Sequence, residues 1–252
     1  MPAAYDTYDY PAYWKEREYE QGAECAALRT LLSKIPKIEK ILDVGCGYGR
    51  LFSTYAFRAK KIILSDPSAK LLSTARKNTK DNKKVELVQS SLENLPFKIK
   101  RGSVDLIVMV RVLHHLENTK DAFAIISNLL KDNGYLILEF ANKGHFKSVI
   151  LEMFKGNITF PLDLSSKDIR SEKSKKAGTL PFVNYHPDAI LQELKDAGFT
   201  VLNKLSVSNI RSTFIKKVVS TPTLLAAEKF LQQPLGYINF GPSIFILAQK
   251  YP

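Results

Sequence analysis

Seven consecutive residues, Asp43-Val44-Gly45-Cys46-Gly47-Tyr48-Gly49, set an acid before three glycines at alternate positions. Glycines at that spacing permit a tight turn and let the main chain approach a bound ligand closely. A dinucleotide fingerprint would place its third glycine at position 50, where this chain has arginine. Without a Gly-Lys-Ser/Thr run, phosphate binding has no support. Asp66 follows roughly twenty residues on, at the end of an apolar run, where a carboxylate can accept hydrogen bonds from two ribose hydroxyls. These residues suit a nucleoside ligand that lacks a pyrophosphate.

The elements that must position them can be read from periodicity. Ala23–Ile35 has apolar residues at helical spacing and stops before Pro36. KILDVG, KIILSD, VELVQ, VDLIVMV and GYLILEF read as buried strands, with helices predicted at 50–59, 68–79 and around 118–133. Strands alternating with helices imply an α/β fold with a parallel sheet covered on both faces. The pattern loosens after Asn142. A helix is predicted from His186, before Pro187, to Gly198, then a strand at 200–210, a helical piece interrupted by Pro222, and a last strand PSIFILAQK. One domain is expected, with a helical cap at 1–39, a ligand-binding core at 40–142, a lid or insertion at 143–185, and the rest of the sheet at 186–252 carrying a helical insertion at 213–232.

The chain resembles the class I S-adenosylmethionine-dependent methyltransferases over about residues 40–142. ILDVGCGYGR is similar to that family's first motif, LSDPS to its second, SSLENLPF to its third and VDLIVMVRVLHHLEN to its fourth. The resemblance implies a three-layer Rossmann-like sandwich, its seven-stranded, mostly parallel sheet having an antiparallel last strand. It implies S-adenosyl-L-methionine as cofactor. By the same resemblance Asp43 faces the methionine portion, Gly45, Cys46, Gly47 and Gly49 pass the nucleoside, and Asp66 with Pro67 holds the ribose. Ser91 and Leu92 stand beside adenine, where the family often has an acid, and Val110 and Arg111 border cofactor and acceptor. Tyr13 and Trp14 are expected to cover the cofactor, whose sulfonium would gain cation–π attraction, and Arg17 to reach the methionine carboxylate.

Methyl transfer is an in-line displacement that depends mainly on alignment, and a general base is needed only for an acceptor that arrives protonated. His114 and His115 follow the fourth strand, and Tyr185 and His186 follow the insertion; these are the candidate catalytic residues, although packing or helix capping would also account for each. No Asn/Asp-Pro-Pro-Tyr/Phe turn follows the fourth strand, which disfavours nucleobase amines as acceptors. Neither Cys25 nor Cys46 is placed to serve as a nucleophile.

The formal charge of +12 suits anionic partners, or merely a solvated surface. RNA is therefore the alternative to a small-molecule acceptor, and a non-catalytic cofactor-binding protein is a third reading; the glycine spacing weakens a nicotinamide dehydrogenase. The apolar residues of 213–232, Phe214, Ile215, Val218, Val219, Leu224 and Leu225, are expected to pack on the sheet rather than on lipid. The aromatic, charged N-terminus does not read as a signal peptide, and no apolar run has the length to span a membrane. Two separated cysteines fit a reducing, cytoplasmic setting, and no metal-ligand cluster is expected.

Overall fold

A computed structural model describes residues 10–80, 82–116, 118–176 and 179–252; the first nine residues of the expected cap and positions 177–178 of the expected insertion lie outside the described residues. Helices α1 (Tyr10–Trp14) and α2 (Glu18–Leu32) precede β1 (Lys40–Val44), after which come α3 (Phe52–Tyr55), β2 (Lys61–Asp66), α4 (Ala69–Asn78), β3 (Val85–Gln89) and β4 (Val104–Met109). Next are α5 (Thr119–Leu129), β5 (Leu130–Ala141), α6 (Phe146–Phe154), β6 (Lys167–Asp168), α7 (Glu172–Lys176) and β7 (Val183–Asn184). The chain closes with α8 (Pro187–Asp196), β8 (Phe199–Val207), α9 (Thr213–Val218), α10 (Thr221–Tyr237) and β9 (Ser243–Lys250).

Seven strands form one sheet in the order β3-β2-β1-β4-β5-β9-β8, parallel throughout except β9, which runs antiparallel to both neighbours. The expected fold class is thus what the chain adopts. Its strands read as unbroken apolar runs because successive side chains enter two different cores. In β4, Leu106 and Val108 join α2 and α3 on one face, whereas Ile107 and Met109 join α5 and α8 on the other.

Two elements depart from the periodicity. The helix expected over 50–59 is one α turn followed by a 3-10 turn at Ala56–Arg58, because Gly49 adopts φ +77° and delays helix entry. The tail of the helix expected to reach residue 133 is instead the start of β5, where Leu130 pairs with Val104. The helical piece expected to be interrupted by Pro222 is two helices, broken just before it: Pro222 occupies the first turn of α10, which Ser220 caps by accepting the Thr223 N–H, as proline and serine favour at helix starts.

The switch between β1 and β4, where the strand order reverses, opens a crevice at the carboxyl ends of the strands. Over that edge the chain between β5 and α8 is anchored by Lys143. Its buried ammonium donates to the Asp163 and Ser165 carbonyls and to the Asp163 carboxylate, at 2.7–2.8 Å. Removing a buried ammonium leaves those oxygens without their donor. Lys143→Ala is therefore expected to speed cleavage around residues 158–164 in limited thermolysin digestion while the core keeps its melting temperature to within a few degrees; an unaltered cleavage rate would show that the segment is held by other contacts.

Candidate active site

At the end of β1 the chain turns through Gly45 (φ +67°) and Gly47 (φ +56°), a region unfavourable for residues with a Cβ. A Cβ on Gly45 would also stand 2.3 Å from Val112 Cγ2, and one on Gly47 would meet the Tyr10 ring at 3.4 Å. Asp66, at the end of β2, holds this turn. Its Oδ2 accepts the Gly47 N–H at 2.9 Å and its Oδ1 the Ser68 N–H at 2.8 Å, which fixes the carboxylate at the cleft wall. The cleft encloses about 310 Å³, within the range of small-ligand sites. Gly45, Gly47, Asp66, Pro67, Ser91 and Glu93 line it together with Val112, which packs on Gly45, and with His115, Leu116 and Leu180.

Below the turn lies a buried ionic cluster. Glu24, fully buried on α2, accepts from Arg50 Nη2 at 2.5 Å on one oxygen and from Arg111 Nε and Nη2 at 2.8 and 2.6 Å on the other. Trp14 packs with the Arg50 guanidinium 3.7 Å from its ring centroid. Arg111 itself has φ +64°, a strained conformation for a residue with a side chain, and its N–H donates to buried Glu139 at 2.8 Å. Burial raises the Glu139 pKa, whereas the two guanidiniums outweigh burial at Glu24 and hold its carboxyl below the ordinary value.

Of the two histidines after β4, His115 faces the cleft and His114 is buried behind it, the rings 4.0 Å apart. Burial lowers both pKa values, so both are neutral near pH 7. His115 Nδ1 lies 2.7 Å from the Pro181 carbonyl, which can only accept; Nδ1 therefore carries the hydrogen, and Nε2 is the ring's acceptor nitrogen.

The sequence candidates divide accordingly. Gly45, Gly47, Asp66, Pro67, Ser91, Leu92, Arg111 and His115 line the cleft. Gly49 packs against Ala75 outside the lining, Val110 is buried beneath it, and Cys46 contributes its N–H to the Ser65 carbonyl while its thiol, pushed up by burial, stays protonated. Asp43 lies under the turn, accepting from the Tyr55 hydroxyl. Trp14 is occupied by Arg50, and Tyr13 stacks on Tyr10 with Arg17 4.1 Å from its ring; of these aromatics it is Tyr10 that lines the cleft. Tyr185 and His186 stand apart from the cleft. The Tyr185 hydroxyl donates to the Leu113 carbonyl and its pKa is raised to about 12 by burial, while His186 caps α8 and bonds the Pro161 carbonyl. Glu24 was not singled out from the sequence, although an acid on the apolar side of an amphipathic helix is the signal that marks it.

A family described as a methyltransferase domain matches residues 42–138. Among curated relatives, the tRNA 5-carboxymethoxyuridine methyltransferase of Escherichia coli O157:H7 is 24% identical over 88% of this chain and 84% of its own length. The ubiquinone biosynthesis O-methyltransferase of Rickettsia canadensis is 29% identical over 43% of this chain and 45% of its own. The chain spans less than half the length of several curated relatives it matches. Among solved structures, the N-methyltransferase NodS of Bradyrhizobium japonicum with S-adenosyl-L-homocysteine superposes with a TM-score of 0.60 over 98% of this chain and 94% of that one, at 14% identity, a likeness of fold.

Burial pushes the Asp43 carboxyl up to about 7. The unfolded chain ionises that group near its ordinary value, whereas the fold keeps the proton until about pH 7, so this group lowers stability progressively as pH rises from about 4 to about 7. Asp43→Asn removes the penalty and can still accept from Tyr55. The melting temperature of the variant relative to wild type is expected to rise between about pH 5 and about pH 7 in scanning fluorimetry; parallel curves would contradict the buried, protonated assignment.

Proposed function

The chain carries a class I S-adenosylmethionine-dependent methyltransferase domain, and from that premise we propose that it methylates a small, largely apolar acceptor held against the wall of Val112, Leu116 and Leu180. The observation that carries this reading is the continuity of the cleft: the glycine turn and Asp66 share one enclosed space with that apolar wall and with His115.

In this reading Asp66, oriented by two backbone N–H groups, accepts the ribose hydroxyls. Ser91 and Glu93 stand at the nucleobase end, so an acid is available two residues beyond the position where one was sought. Arg111, held by Glu24 and bordering the cleft, takes the methionine carboxylate, the role the sequence had suggested for Arg17. When bound, the cofactor supplies a methyl group activated by positive sulfur. The protein then has to align the acceptor and keep water out, and alignment can be worth effective molarities of about 10⁵–10⁸ M. His115, with hydrogen fixed on Nδ1, presents Nε2 as the base for an acceptor that arrives as an alcohol, phenol or ammonium.

A macromolecular acceptor is the second reading. It is supported by the net charge of +12 and by likeness to a tRNA methyltransferase along most of both chains. Weighing against it is an acceptor wall of aliphatic side chains, where unstacked bases are usually held on aromatic or guanidinium planes.

Calorimetric titration is expected to give micromolar binding of S-adenosylmethionine and S-adenosylhomocysteine and none of NADH, with Asp66→Ala weakening it at least about tenfold in a variant that stays folded but melts lower, because the Gly47 and Ser68 N–H groups lose their acceptor. Normal affinity in that variant would remove the ribose assignment, and a preference for NADH would remove the cofactor. For a phenolic or amine acceptor turned over in a screen, His115→Ala should lower kcat by about 10²–10⁴ with cofactor affinity kept, as loss of a general base does. A kcat equal to wild type would reduce His115 to packing.

A further inference from the structure

Helices on a protein surface ordinarily turn apolar residues to the core and charges to water. Three helices here turn a charged side chain inward and leave a phenylalanine outside, although α10 also buries Leu224. On α6, Glu152 is turned towards Lys167 of β6 with its side chain 15% exposed, while Phe154 is 88% exposed, and no residue of the helix is buried. On α9, Lys216 turns in to Glu20 and lies 4.4 Å from the Tyr19 ring, while Phe214 is 71% exposed. On α10, Glu228 is wholly buried, accepting from the Tyr19 hydroxyl, from the Ser208 and Asn209 N–H groups and from the Asn209 amide, while Phe230 is 80% exposed.

The helices meet at one corner of the molecule. Phe146, which opens α6, stacks on Phe240 at 5.0 Å, just beyond the end of α10, and its N–H donates to the Phe240 carbonyl. His145 lies within electrostatic reach of Arg211, just before α9. Exposed Tyr237 and Ile238 occupy the same corner, at the edge of the sheet from which the chain over the cleft departs.

Charge selects among the surfaces that could cover this area. The only acids in the three helices are Glu152 and Glu228, and both are turned inward. The outward charges are Lys147, Lys217 and Lys229, with Lys155 at the end of α6 paired to Glu152 at 3.1 Å. Apolar side chains flanked by lysines, with no outward acid within the three helices, are complementary to anionic headgroups over acyl chains. A two-fold dimer through this face would set lysine against lysine. Ile150, Leu151, Met153, Ile215 and Val218 add exposed aliphatic area beside the phenylalanines, which acyl chains cover and base stacking does not use.

We propose that the outward face of α6, α9 and α10 docks on an anionic lipid bilayer, seating the chain on the surface without crossing it. Among the described residues no helix is long and apolar enough to cross a membrane. The proposal rests on these helices alone and stands or falls apart from the identity of the methyl acceptor.

The test is flotation of the full chain with phosphatidylcholine vesicles, with and without phosphatidylglycerol, at low and high salt. Recovery with the anionic vesicles, reduced by salt, is expected. The double variant Phe154→Ser/Phe214→Ser should weaken partitioning by about tenfold or more, since it removes the most exposed apolar side chain of α6 and of α9. Cofactor affinity and melting temperature should not change, because neither ring lies in the core or the cleft. Absence of the chain from the floated anionic fraction would overturn the proposal. So would a dimer seen by light scattering that the double variant dissociates, or tRNA binding that the same variant abolishes while vesicle binding is missing.

Discussion

One buried carboxylate ties together the three pieces of chain that make the site. Glu24 comes from the helix before the sheet, Arg50 from the glycine turn after β1, and Arg111 from the turn after β4. A buried charge without partners is very unfavourable, and deleting one member of such a set typically costs about 3–5 kcal/mol. The cluster therefore admits one arrangement of the helix against the two turns. The left-handed backbone at Arg111, the Glu139 carboxylate that accepts its N–H, and the Trp14 ring against Arg50 all follow from that arrangement.

The cleft inherits its shape from this constraint. With Arg111 held back on Glu24, Val112 comes so close to Gly45 that a side chain there would clash, and His115 is carried to the wall by the 3-10 turn that follows. Asp66 acts from the opposite side by bonding the Gly47 N–H, so two carboxylates from different elements brace one glycine turn. The segment over the cleft is supported in a third way, by the Lys143 ammonium beneath it and by the Pro181 carbonyl on His115. A group that fixes the tautomer of His115 is thus part of the same segment that contributes Leu180 to the cleft.

Buried polar side chains recur on the helices outside the sheet as well. Tyr19, Glu228, Asn209 and Ser206 form a hydrogen-bonded set between α2, α10 and the end of β8, with the Glu228 oxygens accepting from the Tyr19 hydroxyl, the Ser208 and Asn209 N–H groups, and the Asn209 and Gln232 side-chain amides. Inward polar groups on α10 leave its phenylalanine outside, and the same inversion on α6 and α9 gives the molecule a surface whose chemistry is unlike that of the rest of the sandwich.

What the sequence determined by itself was whatever depends on neighbours along the chain. Alternation of apolar runs and helical periods specified the layered sheet, and the motifs in order specified its antiparallel last strand through resemblance. Asp43 to Gly49, with Asp66, marked one end of the cleft because a turn and a strand end are local features. Proline and histidine at 186–187 marked the start of α8 for the same reason. Only the tertiary structure decided which charges meet: Glu24, Arg50 and Arg111 are far apart in sequence, and no local rule pairs them. It likewise separated His115 in the cleft from His114 behind it, assigned Tyr185 and His186 to carbonyls of neighbouring segments, and substituted Tyr10 for Tyr13 and Trp14 over the turn. The outward phenylalanines of α6, α9 and α10 were decided there too. Periodicity shows that a helix has an apolar side, but which side faces the core depends on whether a buried partner, such as Tyr19 for Glu228, waits for the polar one.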